Sequence, residues 1–330
     1  MNKVMLKKAG IVIFWLIISI VIVLVITILT IYLYPKQVKE LQQSNLSSLS
    51  YKQSISAIDN DIKNDKRNSD ISKNCLPVIK THDKKTAKAV VMMHGISACP
   101  EQFSELADVF FAAGYNVYIP RTPQHGFTDT ARHDKVKLTE LADFLNKTAS
   151  QAKNLGNEVG IIGLSGGANL ATWLSQRTDI FDRALLLSPF YEPSVSHVPK
   201  WKIPLMMTLY GRNILPSSFS GDLSIRTVAK YVMIRNNYAP DSKSSLKHLA
   251  VITSEGDDDI DLSLAHSLPR HIKEVNRTTY LETRLSKKFG VTHDIVHPKA
   301  PGMKKHKAQL YKLYLDMYEN KLTKNKKSND

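Results

Sequence analysis

The sequence predicts an α/β domain on a mostly parallel central sheet with helices on both faces, carrying a helical cap insertion and preceded by an N-terminal transmembrane helix. Three observations lead there. From Ala87 onward, short apolar runs alternate with amphipathic stretches, the pattern of a parallel sheet layered between helices. Between Tyr191 and Ser245 that alternation breaks down. Ile11 to Tyr34 is a continuous apolar run without a charge, which at about 1.5 Å per residue is long enough to cross roughly 30 Å of hydrocarbon.

Taken from the amino end, residues 1–10 carry Lys3, Lys7 and Lys8, and residues 11–34 form the span. A cleaved signal peptide is the competing reading, but the run exceeds the usual apolar core of about 7–15 residues. Tyr32, Tyr34, Pro35 and Lys36 also stand where a small-x-small cleavage site would be. Lys36, Lys39 and Glu40 follow, so the balance of positive charge predicts a cytoplasmic amino terminus and a domain outside the cytoplasm. Residues 35–86 read as a polar stalk or linker, because Gln37 to Asn74 is rich in Ser, Asn, Gln, Lys and Asp and poor in large apolar residues. A helical stretch within it is compatible with that composition.

The domain is expected over 87–320. Ala89–Met93 is its first strong strand, followed by His94-Gly95-Ile96. A helix then opens on Pro100, where a missing N–H costs nothing, and sets Phe103, Leu106, Val109 and Phe110 on one face before Gly114 ends it. Tyr115–Ile119 is the next strand and Leu138–Ala152 the next helix. A strand over Val159–Leu164 and a helix over Ala168–Arg177 enclose a sharp turn, and Ala184–Leu187 is a further strand. Residues 191–245 form the insertion, with Trp201, Met206, Met207, Leu209, Tyr210 and Tyr231 among several prolines. Soft methionines there suit either a surface that adapts to acyl chains or ordinary packing on the sheet. Leu249–Thr253, a helix over Leu262–Val275 and a strand over Tyr280–Leu285 complete the pattern.

Gly163-Leu164-Ser165-Gly166-Gly167 places a serine in Gly-x-Ser-x-Gly directly between a strand and a helix, the context of a nucleophile elbow. The same pattern occurs by chance in loops, and its flanks distinguish this instance. Gly163 and Gly167 remove side chains that would collide in so tight a turn. A serine needs a base to take its proton, and the base needs an acid, in the chain order Ser, Asp, His for this topology. Asp257, three residues before Ile260, is the expected acid, with Asp258 and Asp259 as rivals in the same acidic turn. His293 is the expected base after the last strand, with His297 as its rival. The backbone N–H groups of Ile96 and Gly166 are the expected oxyanion donors. Cys75 and Cys99 either form a disulfide or are two unrelated thiols.

These residues resemble the α/β-hydrolase superfamily over roughly Ala87 to Tyr318. More narrowly, Met93 to Phe103 and Tyr115 to Gly126 are similar to the branch of monoglyceride lipases, lysophospholipases and serine aminopeptidases (S33). The branch has a Pro-Gly-His-Gly-like turn, which here reads Pro123-Gln124-His125-Gly126, its first glycine replaced. The resemblance implies a carboxylic-ester hydrolase with a helical cap and with no metal or organic cofactor. A peptidase or an acyltransferase would use the same three residues, and a catalytically inactive binding protein would keep the fold. The formal charge of +15 and the basic tail over 321–330 suit an anionic membrane or envelope polymer, and no zinc, helix-turn-helix or RNA-binding pattern supports nucleic acid.

Overall fold

The structure is a computed structural model that describes residues 3–33 and 37–321. Of the expected segments, the basic tail beyond Lys321, the flank at 34–36 and residues 1–2 lie outside the described residues. Helix α1 (Lys3–Leu33) carries the apolar run, and within it Lys7–Leu33 is long and apolar enough to cross a membrane. The chain continues through α2 (Tyr51–Arg67), β1 (Val78–Lys80), β2 (Thr86–Met93), α3 (Ser104–Ala112), β3 (Tyr115–Ile119) and α4 (Leu138–Ala152). The turn around Ser165 joins β4 (Gly156–Leu164) to α5 (Gly166–Arg177), and β5 (Phe181–Leu187) follows. The insertion holds α6 (Ile203–Leu209), a small hairpin of β6 (Phe219–Ser220) and β7 (Leu223–Ser224), and α7 (Ile225–Arg235). Then come β8 (His248–Ser254), α8 (Leu262–Asn276), β9 (Thr279–Leu285) and α9 (Met303–Tyr318).

Among the described residues the main sheet runs in the order β1-β3-β2-β4-β5-β8-β9, with β1 antiparallel to β3 and every other neighbouring pair parallel. Parallel strands buried on both faces must be apolar throughout, which is why β2 and β4 read as near-continuous apolar runs. Successive residues of β2 serve opposite layers. Ala89, Val91 and Met93 join the core beneath α4, α5, α7 and α8, whereas Val90 and Met92 join the one beneath α3 and α9. The carboxyl ends of β2, β4, β8 and β9 thus open at one edge of the sheet, where a doubly wound fold binds its ligand.

The stretch expected as a polar linker is folded in its middle. Ser50 and Gln53 form a capping box at the start of α2, whose Ile58 is fully buried with Ile55 and Ile62 packed beside it. Spaced at i, i+3 and i+7, these isoleucines make one apolar stripe that an average over the segment hides. Leu41 is fully buried too, and its carbonyl accepts a hydrogen bond from Trp173 Nε1 at 3.0 Å. Arg121 holds Asp65 of α2 at 2.6 Å. This segment is a strap across the domain, ending in β1 as an extra edge strand.

The insertion divides in two. Val228 to Ile234 of α7 are buried and pack against α5, so this helix belongs to the core as much as to a cover. The stretch over α6 and the hairpin lies at the sheet's open edge.

Candidate active site

Ser165 stands between β4 and α5 with φ +57°, a left-handed backbone that a non-glycine residue adopts only when its surroundings impose it. They do so by close approach. A Cβ on Gly163 would sit 2.4 Å from the Gly167 carbonyl oxygen, and one on Gly167 would sit 2.0 Å from that of Met93. The elbow therefore presses the start of α5 against the ends of β4 and β2, and only hydrogen fits at both positions.

The structure brings Ser165, His293 and Asp257 together. His293 Nε2 lies 2.7 Å from Ser165 Oγ, and its Nδ1 lies 2.9 Å from Asp257 Oδ2. A carboxylate can only accept, so Nδ1 carries the proton and Nε2 is left to accept from the serine hydroxyl. Burial by itself would lower the imidazole's pKa, but the hydrogen bond and charge of Asp257 outweigh it and hold His293 above the usual histidine value. The Asp257 side chain is inaccessible to solvent, and its Oδ1 accepts from Asp259 N–H at 3.1 Å. Asp258 and Asp259 are exposed. Asp259 has another function in the fold, its carbonyl accepting from Ser194 N–H at 3.0 Å and so joining the acid turn to the start of the insertion. The ring of His297 accepts from Lys299 N–H within its own turn.

Ile96 and Gly166 face each other beside the serine, so closely that a Cβ on Gly166 would come 2.4 Å from the Ile96 side chain. Gly166 opens α5, whose first N–H groups have no partner inside the helix, and Ile96 N–H has no acceptor among the described residues. One neutral ring, His94, supports the Ile96 loop, and a second, His125, packs beside it with ring centroids 5.6 Å apart. His94 donates from Nδ1 to the Gly95 carbonyl at 2.9 Å and accepts at Nε2 from Thr122 N–H at 3.1 Å, and burial pushes its pKa down to about 4. His125, in the turn with Gln124 in place of glycine, is likewise buried and pushed down to about 3.

Residues that the sequence reading missed tie these parts together. Gln102, buried in the turn before α3, accepts from Gly95 N–H at 2.9 Å through Oε1 and donates to Asp294 Oδ2 at 2.8 Å through Nε2. Asp294 adjoins His293, so one side chain links the Ile96 loop to the histidine loop. A polar residue inside Pro-Glu-Gln-Phe is the only sequence signal for it. Cys75 and Cys99 are joined as a disulfide with Cα atoms 5.1 Å apart, which fastens the end of the strap to the same loop.

Above Ser165 lies a cavity of about 560 Å³, whose apolar wall includes Ile96, Phe190, Val198, Met206, Leu223 and Val228. A volume of this size is that of a pocket for a small organic ligand. Two sets of side chains bring potential metal-ligating atoms within 4.8 Å of one another: Asp257, Asp259 and His293, and the exposed His197, Asp258 and Asp259. In the first set Asp257 and His293 are already committed to the hydrogen-bonded line through Ser165, and the second set is exposed.

The family model described as serine aminopeptidase, S33 matches residues 84–253. A search of curated proteins by sequence finds no match. Among solved structures, a metagenome-derived lipolytic enzyme from work on LipS and LipT aligns with TM-score 0.55 at 16% identity, covering 76% of this chain and 99% of that one. A soluble variant of the Saccharomyces cerevisiae monoglyceride lipase aligns with TM-score 0.54 at 11% identity, covering 74% and 91%. A Paleococcus ferrophilus monoacylglycerol lipase aligns with TM-score 0.51 at 17% identity, covering 73% and 98%. At such identities the likeness is one of fold.

Proposed function

Because the chain belongs to the serine aminopeptidase S33 family of α/β-hydrolases, we propose that it is a membrane-anchored serine hydrolase cleaving acyl esters of the monoacylglycerol or lysophospholipid kind. The observation that carries this reading is the unbroken line of hydrogen bonds from Asp257 through His293 to Ser165 at the floor of an apolar cavity. Ser165 Oγ attacks the ester carbonyl as its proton passes to His293 Nε2, and Asp257 stabilises the imidazolium formed. The N–H groups of Ile96 and Gly166 hold the charge that develops on the carbonyl oxygen. His293 then returns its proton to the departing alcohol, leaving Ser165 acylated. Water, activated by the same nitrogen, releases the fatty acid. The apolar wall accommodates the acyl chain, which amino acids offered to a peptidase would fill less well.

Helix α1 serves as the anchor in this reading, with Lys3, Lys7 and Lys8 on the cytoplasmic side and the domain outside. A disulfide between Cys75 and Cys99 agrees with an oxidising compartment. The decisive experiment is labelling of the full chain in membranes with a fluorophosphonate, expected for the unsubstituted protein and absent in Ser165→Ala. Folded protein that resists the probe would sink the proposal. Rates on p-nitrophenyl esters of graded chain length against aminoacyl nitroanilides then separate ester from amide chemistry.

A further inference from the structure

Among the described residues, the large apolar side chains exposed outside α1 are Val195, Trp201, Ile214 and Phe219, and all of them belong to the insertion. Trp201 is tied to the apolar helix. The hydroxyl of Tyr32, in the last turn of α1, donates to the Trp201 carbonyl at 2.5 Å, and α1 packs against α6. A tyrosine ending an apolar span sits at headgroup level, its ring toward the acyl chains and its hydroxyl toward water. A direct hydrogen bond sets Trp201 at that same depth, where the residue is 59% exposed. The Lys202 ammonium stands 5.3 Å from the indole ring, a cation placed where anionic headgroups lie.

The same stretch of chain borders the cavity. Pro193, His197, Val198 and Met206 line it, and Val195 and Trp201 are interleaved with them in sequence. We infer that this face of the insertion, with Val195, Trp201 and Ile214, is seated in the headgroup layer of the bilayer that α1 crosses, so that the Ser165 cavity receives its acyl ester directly from the membrane. The inference rests on the proposed anchor and the proposed nucleophile. It adds a surface, an occupant and a route of delivery to them.

The test uses the full chain carrying Trp15→Phe, reconstituted in phosphatidylcholine–phosphatidylglycerol vesicles with brominated acyl chains. Trp173 is fully buried, so bromine quenching reports Trp201. Quenching is expected, and it is expected to vanish when Trp201→Phe is added. In parallel, Val195→Ser/Ile214→Ser should slow hydrolysis of vesicle-embedded monoacylglycerol about tenfold while leaving a soluble short-chain ester unaffected. Protein that resists a carbonate wash yet shows no quenching overturns the docking and leaves the anchor standing. Protein released by the wash overturns both. Equal losses on the two substrates overturn the delivery route, because they mark damage to the cap itself. Unsubstituted protein inert toward the soluble ester defeats the catalytic reading and the route with it, while quenching still decides the docking.

Discussion

Replacing Gln102 by leucine removes a link without changing much shape. The glutamine satisfies Gly95 N–H at 2.9 Å and reaches Asp294 Oδ2 at 2.8 Å, so leucine leaves a buried amide and one carboxylate oxygen without these partners. An unmet buried N–H costs about 1–3 kcal/mol, and loss of a bond to a charged group about 1.5–3 kcal/mol, so stability should fall by about 2.5–6 kcal/mol before relaxation. Catalysis should suffer separately. The peptide between Gly95 and Ile96 loses its brace, and misplacing one oxyanion donor costs about 3 kcal/mol of transition-state stabilisation, or about a hundredfold in kcat. The assay is steady-state hydrolysis of a soluble short-chain ester, together with the rate of fluorophosphonate inactivation and urea unfolding. We expect kcat and the inactivation rate to fall together while KM stays within about twofold, the pattern of an interaction made only in the transition state. A variant that loses stability but keeps its full kcat would refute the reasoning, since Gln102 would then hold the fold alone.

Asp257→Asn should reduce kcat by about 10⁴ as the imidazole loses its orienting partner, whereas Asp258→Asn and Asp259→Asn, exposed and outside the hydrogen-bonded line, should change it little. His293 must be neutral to act as base, and Asp257 holds its pKa above the ordinary value, so activity should fall as pH drops through that raised pKa. A pH-rate profile checks this, with the acid limb of the residual Asp257→Asn activity moving to lower pH. His94 and His125 are shifted by burial the opposite way, from 6.5 to about 4 and about 3. Below pH 6.5 the unfolded chain therefore binds protons the native protein refuses, and stability should decline toward pH 4 by up to about 1.4 kcal/mol per pH unit for each ring. Urea unfolding over that range measures the slope, and a flat profile would contradict it. Leu41→Ala should destabilise the domain by about 2–5 kcal/mol, read by urea or thermal unfolding, because Leu41 is fully buried although it lies far ahead of the first core strand.

Whatever is encoded locally could be read from the residues alone. The elbow was legible because a strand, Gly-x-Ser-x-Gly and a helix sit next to each other in the chain, and the collisions that require glycine involve the residues on either side. The strands of the parallel sheet announced themselves because burial on both faces demands uninterrupted apolar runs. The apolar helix was equally plain, since length and absence of charge are all that a span requires. The capping box at Ser50 and Gln53 and the spacing of Ile55, Ile58 and Ile62 were local signals too, hidden by averaging over a polar segment.

Other features existed only once the chain had folded. In the acidic turn the spacing to Ile260 pointed to Asp257 but left Asp258 and Asp259 as rivals, and it is the Asp257 carboxyl that the turn buries against His293. Gln102 gains its meaning from two loops nearly two hundred residues apart in sequence meeting at its two ends. The strap depends on Trp173 and Arg121 waiting on the domain, and Trp201 matters because Tyr32 reaches its carbonyl. The sequence by itself determined the elements and the kinds of reactive group, because propensity, patterning and turn sterics act between near neighbours. Only the tertiary structure decided which carboxyl meets His293, which side chain braces the two loops and where the strap lies, because burial and hydrogen bonding between distant segments arise only when those segments pack.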